Sequence, residues 1–239
     1  MTFYHIATFV ALAAVPLRAQ THEHAAPAPA ASANEGLHMR MSATRAPTRD
    51  DSLKAMHVAS ELRVALKPFQ DTSAATAAGY KMFMPGLKDQ KVFHFTNNMH
   101  GLKEGFRFDP TQPTSLLYKK DTSGNFVLVG AMYTAPKRFS EDKLDARVPV
   151  SIAQWHQHIN WCLPKKGDSA RWLERRDGAP LFGPESAITT ESACKAVGGD
   201  FNENIFGWML HANVFAGDKL ADIFGDEHAA HDMHAGMKM

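Results

Sequence analysis

Trp155-His156-Gln157-His158-Ile159-Asn160-Trp161-Cys162 is an aromatic-flanked run with two histidines standing two residues apart. In an extended strand alternate side chains share a face, so His156 and His158 present two imidazoles side by side, half of a metal site. The same alternation sends Trp155 and Trp161 to the opposite face, where they are expected in a core. Two other strand-like runs each carry a histidine: Lys91-Val92-Phe93-His94-Phe95-Thr96-Asn97, and Ile205-Phe206-Gly207-Trp208-Met209-Leu210-His211-Ala212-Asn213-Val214-Phe215. His94, His156, His158 and His211 are therefore the candidate metal ligands. Asn97 and Asn160 are candidate partners to fix imidazole tautomers.

Outward from this strand the sequence reads as α+β, with two N-terminal helices followed by a mostly antiparallel β domain. Asp50-Asp51-Ser52 supplies capping chemistry, and Leu53, Met56, Leu62 and Leu66 recur at helical spacing, which predicts a helix over 52–66 ended by Pro68. A second short helix is expected from Asp71 to Gly79, with an acidic cap, an alanine-rich body and a terminal glycine. His57, without a histidine at i+4, reads as a surface residue. Ser115 to Lys119 and Phe126 to Thr134, joined by Lys120-Asp121-Thr122-Ser123-Gly124-Asn125, form a predicted β-hairpin. A charged loop at 137–147, a polar insertion from Pro164 to Ala193 and a last strand over 205–216 complete a single domain spanning 50–225.

The ends read differently. Ile6 to Val15 is an apolar run too short to span a bilayer, and Pro16-Leu17-Arg18-Ala19 follows as a cleavage site, so 1–19 is expected to be a signal peptide and the protein periplasmic or secreted. No other segment has the length and apolarity of a transmembrane helix. Residues 20–49, rich in Ala, Pro, Ser and Thr, read as a flexible leader, and 226–239 as a flexible His/Met tail. His22, His24, His38, Met39 and Met41 in front, and His228, His231, Met233, His234, Met237 and Met239 behind, combine imidazole with thioether, a pairing suited to copper. Cleavage after Ala19 would leave Gln20-Thr21-His22, whose amine, amides and imidazole suit square-planar Cu(II) or Ni(II).

Composition narrows the function classes. Thirteen histidines against two cysteines in 239 residues make imidazole the expected metal ligand. A net charge of +1 without a Lys/Arg cluster gives no reason to expect nucleic acid as a partner. His156-Gln157-His158 opens like a cupin metal motif, but Cys162 and Leu163 stand where its glutamate belongs. The chain has no Gly-x-Ser-x-Gly elbow, phosphate-binding glycine loop or Cys-x-x-Cys-His haem motif. Glu104 and Glu174 read as isolated, solvated acids.

The two cysteines have two readings. Cys162 and Cys194 can close the polar insertion with a disulfide worth about 3 to 4 kcal/mol in the chain-entropy model. Alternatively, Cys162 is a thiolate ligand beside the histidine pair, as blue-copper centres require. Four residues of strand span roughly 13 Å, too far for Cys162 and His156 to share an ion without a bend, which favours the disulfide.

His94-Phe95-Thr96-Asn97, Phe108-Asp109-Pro110, Ser115-Leu116-Leu117-Tyr118, Val129-Gly130-Ala131-Met132-Tyr133-Thr134-Ala135-Pro136, the double-histidine run and Phe206-Gly207-Trp208-Met209-Leu210-His211 together resemble a family of exported bacterial proteins of unassigned activity. The resemblance covers roughly residues 55–216 and implies no substrate or mechanism. It places His94, His156, His158 and His211 inside motifs and the tail histidines outside them. The expectation is an exported metal-binding or metal-handling protein, with copper or zinc as the ion. The alternatives are a metal-dependent hydrolase or oxidoreductase with a three-histidine open site, and a structural or small-ligand-binding domain without metal.

Overall fold

The computed structural model describes residues 36–86 and 90–225. The expected signal peptide, the first part of the leader and the His/Met tail lie outside the described residues. Described first is a strand, β1 (Met39–Met41), which falls inside the stretch whose composition suggested a flexible leader. It is held because Met39, Arg40 and Met41 pair antiparallel with His158, Gln157 and His156, and because buried His38 contacts the Ser186 carbonyl at 2.5 Å through Nε2. Backbone pairing and one anchored imidazole outweigh a composition poor in apolar residues.

Helix α1 (Arg49–Leu66) starts three residues before the expected helix, because Thr48 is the cap: its hydroxyl accepts from Asp51 N while the Asp51 carboxylate accepts from Thr48 N. Its buried stripe is Ala55, Val58, Ala59, Leu62 and Leu66, whereas Leu53 and Met56 are exposed. Small alanines let the helix lie close on the sheet. A 3-10 turn at Lys67–Gln70 follows, then α2 (Thr72–Ala77), capped by Asp71 and left through Gly79 at φ +86°.

The sheet is then built from β2 (Lys81–Met82), β3 (Phe93–Thr96), β4 (Ser115–Lys120) and β5 (Phe126–Ala135), with α3 (Asn98–Glu104) between β3 and β4 and α4 (Glu141–Asp145) in the charged loop after β5. The strand β6 (His156–Leu163) carries the double histidine. In the polar insertion lie a 3-10 turn at Ser169–Leu173, the small ribbon β7 (Arg175–Arg176) and β8 (Ala179–Pro180), and α5 (Glu191–Ala196). The expected last strand over 205–216 is shorter: β9 (Asp200–Asn204) and β10 (Trp208–Ala212) are separated by a break, and α6 (Leu220–Phe224) follows.

Strand order is β1-β6-β10-β5-β4-β3-β2, every pair antiparallel, with β9 also on β6. The sheet has two unlike faces. One packs Phe93, Phe95, Leu116, Tyr133, Leu210 and Trp155 into the main core with α1. Beside it, Cys162, Leu181, Phe182 and Cys194 form a small separate core under the insertion, closed by the Cys162–Cys194 disulfide, whose Cα atoms are 5.4 Å apart. Cys162 is thus a disulfide partner and not a thiolate ligand. The other sheet face carries the histidines.

Candidate metal centre

Register places the histidines on one face. His156 and His158 alternate along β6, Met209 pairs with His156, and His211 follows Met209 by two on β10. His211 is opposite Met132 and His94 is opposite Leu117. The rings meet in a row. Centroids are 5.6 Å apart for His94 and His211, 5.2 Å for His211 and His156, and 5.4 Å for His156 and His158. All four candidate ligands, from β3, β6 and β10, are therefore brought together.

The rings meet at steep angles, with planes inclined by 50°, 84° and 76° along the row. Among the described residues no group of three or more His, Cys, Asp or Glu side chains is placed to hold a metal ion as they stand. A cavity of about 330 Å³ opens beside His156 and His211, bordered also by Thr44, Ser151, Gln154 and Phe224. His156 is almost fully buried, while His94, His158 and His211 are partly exposed.

The far end of the row is aromatic. Trp161 lies against His158 with centroids 4.9 Å apart, and Phe206 contacts both. This corrects the expectation that Trp161 faces away from the histidines. Asn160 sits in the left-handed region at φ +57°, which breaks the alternation and brings Trp161 round to His158. Beyond the break Cys162 turns to the opposite side, into the small core. Trp155, before the break, is in the main core as expected.

Asn97 does not orient an imidazole of the row. Its Oδ1 accepts from Met99 N and His100 N, and its Nδ2 donates to Ala78 O, so it caps α3 and ties that helix to the end of α2. His57 is exposed and pairs with Glu61 at 3.4 Å.

Two features escaped the sequence reading. Met39 and Met41, expected as ligands in a flexible leader, stand directly across from His158 and His156 on the histidine face. The alternation Met39-Arg40-Met41 carries the signal that could have found them, since it repeats the period of His156-Gln157-His158. The other is Glu104, read as a solvated acid and found buried at the end of α3. Its Oε2 accepts from Thr114 Oγ1 at 2.5 Å, Thr134 N at 2.7 Å and Thr134 Oγ1 at 2.9 Å, while the Arg147 guanidinium donates to its backbone carbonyl. Desolvation dominates, and burial pushes the Glu104 carboxyl up to about 7 against these bonds and the Arg147 charge. No nearby apolar pattern in the sequence marked it as buried. Glu174, by contrast, is an exposed acid paired with Arg171 at 2.9 Å.

The fold and site define an α+β protein with a histidine-lined sheet face and a disulfide-closed insertion. Comparisons with family models, with curated proteins and with solved structures find no match. Among the described residues no helix is long and apolar enough to cross a membrane.

Proposed function

We propose that this chain is an exported metal-binding or metal-handling protein whose ion site lies on the histidine face of the sheet, with copper or zinc as the ion. The observation that carries this reading is the unbroken row His94, His211, His156, His158, contributed by three strands. An imidazole ring centre lies about 3 Å from an ion bound at ~2.0–2.1 Å, so two ligands at a tetrahedral angle have centres ~5 Å apart. The spacings of 5.2 to 5.6 Å match that distance. Imidazole is a ligand of choice for zinc and copper alike, and ring rotation within the row is the adjustment that binding requires. Export is supported by the apolar N-terminal run and by a disulfide of the kind that persists in oxidising compartments. The motif resemblance to exported bacterial proteins is in keeping with it but adds no chemistry.

The enzyme reading, a metal-dependent hydrolase or oxidoreductase, draws on one observation, the cavity beside His156 and His211. Among the described residues no carboxylate lines that cavity, and its two imidazoles, His156 and His211, are the proposed ligands, so no described side chain there is left over to serve as general base. Metal handling is the better supported reading.

The test is elemental analysis of the full-length chain beside a His156→Ala, His158→Ala double variant after loading with copper or zinc. Loss of bound metal with an unchanged circular dichroism spectrum is expected. Unchanged metal content would overturn the reading.

A further inference from the structure

The histidine face also carries methionine in register. His156 has Met41 directly opposite on β1 and Met209 directly opposite on β10, so a thioether side chain stands on either side of the same imidazole. His158 has Met39 opposite, and His211 has Met132. Directly opposed residues of antiparallel strands have Cβ atoms roughly 4.5–5.5 Å apart and share a face. A methionine, unbranched and with three rotatable bonds, reaches across that distance easily. Met132 and Met209 are buried together with Leu117, while Met39 and Met41 are partly exposed at the outer strand.

From this juxtaposition we infer that the site is a mixed imidazole and thioether centre for cuprous ion, with His156 and His211 as nitrogen donors and Met209 and Met41 as sulfur donors. The inference rests on the metal-handling reading and names the ion. No three His, Cys, Asp or Glu side chains among the described residues form a ready set as they stand, so donors of another residue type beside the imidazoles bear on which ion the site takes. Methionine is the type that register supplies. A thioether is a soft, neutral ligand that selects Cu(I), whereas structural zinc sites draw on thiolate, imidazole and carboxylate. The cavity beside His156 and His211 gives the ion an approach, and the apolar cluster of Leu117, Met132 and Met209 favours a singly charged ion over a doubly charged one.

The experiment uses the full-length chain with its disulfide intact. Cu(I), kept reduced with ascorbate, is titrated against bicinchoninate, and Zn(II) is titrated separately against a chromophoric chelator. The variants are Met41→Leu, Met209→Leu, both together, and the His156→Ala, His158→Ala double variant; the leucines conserve volume, so the fold is retained. The methionine double variant is expected to weaken Cu(I) binding at least tenfold and leave Zn(II) binding unchanged. Sulfur scattering at the copper X-ray absorption edge falls in step. Cu(I) affinity unchanged by the leucines but lost with the histidines would overturn the thioether assignment and leave the metal reading standing. Cu(I) affinity unchanged in every variant would overturn both. The tails are the same in all variants, so binding is read as ions per chain as well as affinity, and the constant contribution of the tail histidines and methionines is subtracted before the sheet site is scored.

Discussion

His94 and His211 touch, with ring centroids 5.6 Å apart, although β4 and β5 lie between their strands in the sheet. At ~4.8 Å per strand a flat sheet would set their backbones roughly 14 Å apart, so the imidazoles lean towards each other across a curved face. His94 is therefore the far end of the row and, of the four candidate ligands, the one with the longest reach. His94→Ala is expected to lower Zn(II) affinity, which rests on the histidine row without the methionines, by about tenfold, less than loss of His156. Its thermal midpoint stays within a few degrees of wild type, since a partly exposed strand residue is removed. Metal titration alongside a melting curve checks both; an affinity equal to wild type would place His94 outside the site.

Gly130 is what lets the curved face close. It lies opposite Leu117 in β5, in the cross-strand row of His94, and a Cβ there would stand 2.1 Å from Ala212 O and 2.7 Å from Asn213 Cα. Both obstacles are backbone, so no side chain can swing aside. Gly130→Ala should destabilise the fold by about 3 kcal/mol, at the upper end of what overpacking costs. Urea denaturation measures it, and a loss below about 1 kcal/mol would mean that the Ala212 to Asn213 backbone stands far enough from Gly130 to admit a methyl group.

Glu104 gives stability a pH dependence of known sign. Its folded pKa, about 7, lies above the ordinary carboxyl value of 4.5, so the folded state holds its proton more tightly than the unfolded chain. The contribution is fully present below about pH 4.5 and is lost as pH rises through about 7. At 1.36 kcal/mol per pKa unit the loss is about 3 kcal/mol. Glu104→Gln keeps an oxygen to accept from Thr134 N and cannot ionise. The variant is expected to gain stability relative to wild type between pH 5 and 8. Denaturation curves at several pH values read this directly; parallel profiles for the two proteins would show that Glu104 titrates normally.

Legibility in the sequence followed the reach of each signal. The hairpin of β4 and β5, the strand status of His94, His156, His158 and His211, and the Cys162 to Cys194 pairing were readable because they depend on alternation, turn residues and cysteine count. β1 was hidden because three residues among polar neighbours give no periodicity of their own, and its order comes from pairing with β6. Regular alternation misplaces Trp161, because Asn160 leaves the β region. Asparagine tolerates that conformation far better than most residues, so the hint was there but weak. Glu104 was misread because its burial depends on Thr114, Thr134 and Arg147, distant in sequence.

The disulfide closes 32 residues of insertion over a core of its own, in which Gly199 has no room for a side chain: a Cβ would lie 2.6 Å from Cys162 Sγ and 2.9 Å from Cys194 Sγ. Cys162→Ala with Cys194→Ala should cost about 3 to 4 kcal/mol. Because the main core is separate from this cluster, the first effect is loss of order in the insertion. Limited proteolysis with and without reductant tests this, with new cleavage expected between residues 164 and 193. Cleavage spread evenly over the chain would mean that the two cores unfold as one.

β1 covers the edge of β6 that carries the paired histidines, and a chain beginning at residue 50 would lose it along with the Thr48 cap of α1. Three ladder residues, the His38 anchor to Ser186 and the Thr48 capping box would all go, and His156 and Gln157, both now buried, would gain solvent. An uncovered strand edge is a template for pairing with another chain. A fragment of residues 36–225 is therefore expected to be monomeric and to melt close to the full-length protein. One of 50–225 should melt at least 5 °C lower, since losing the cap alone costs about 1 kcal/mol and a kcal/mol shifts the midpoint of a domain this size by roughly 2–4 °C. Light scattering should also show the shorter fragment associating. If the two fragments melt together and both stay monomeric, β1 does not hold the β6 edge in solution. The facing of Met39 and Met41 towards His158 and His156, on which the cuprous site depends, would then fall with it.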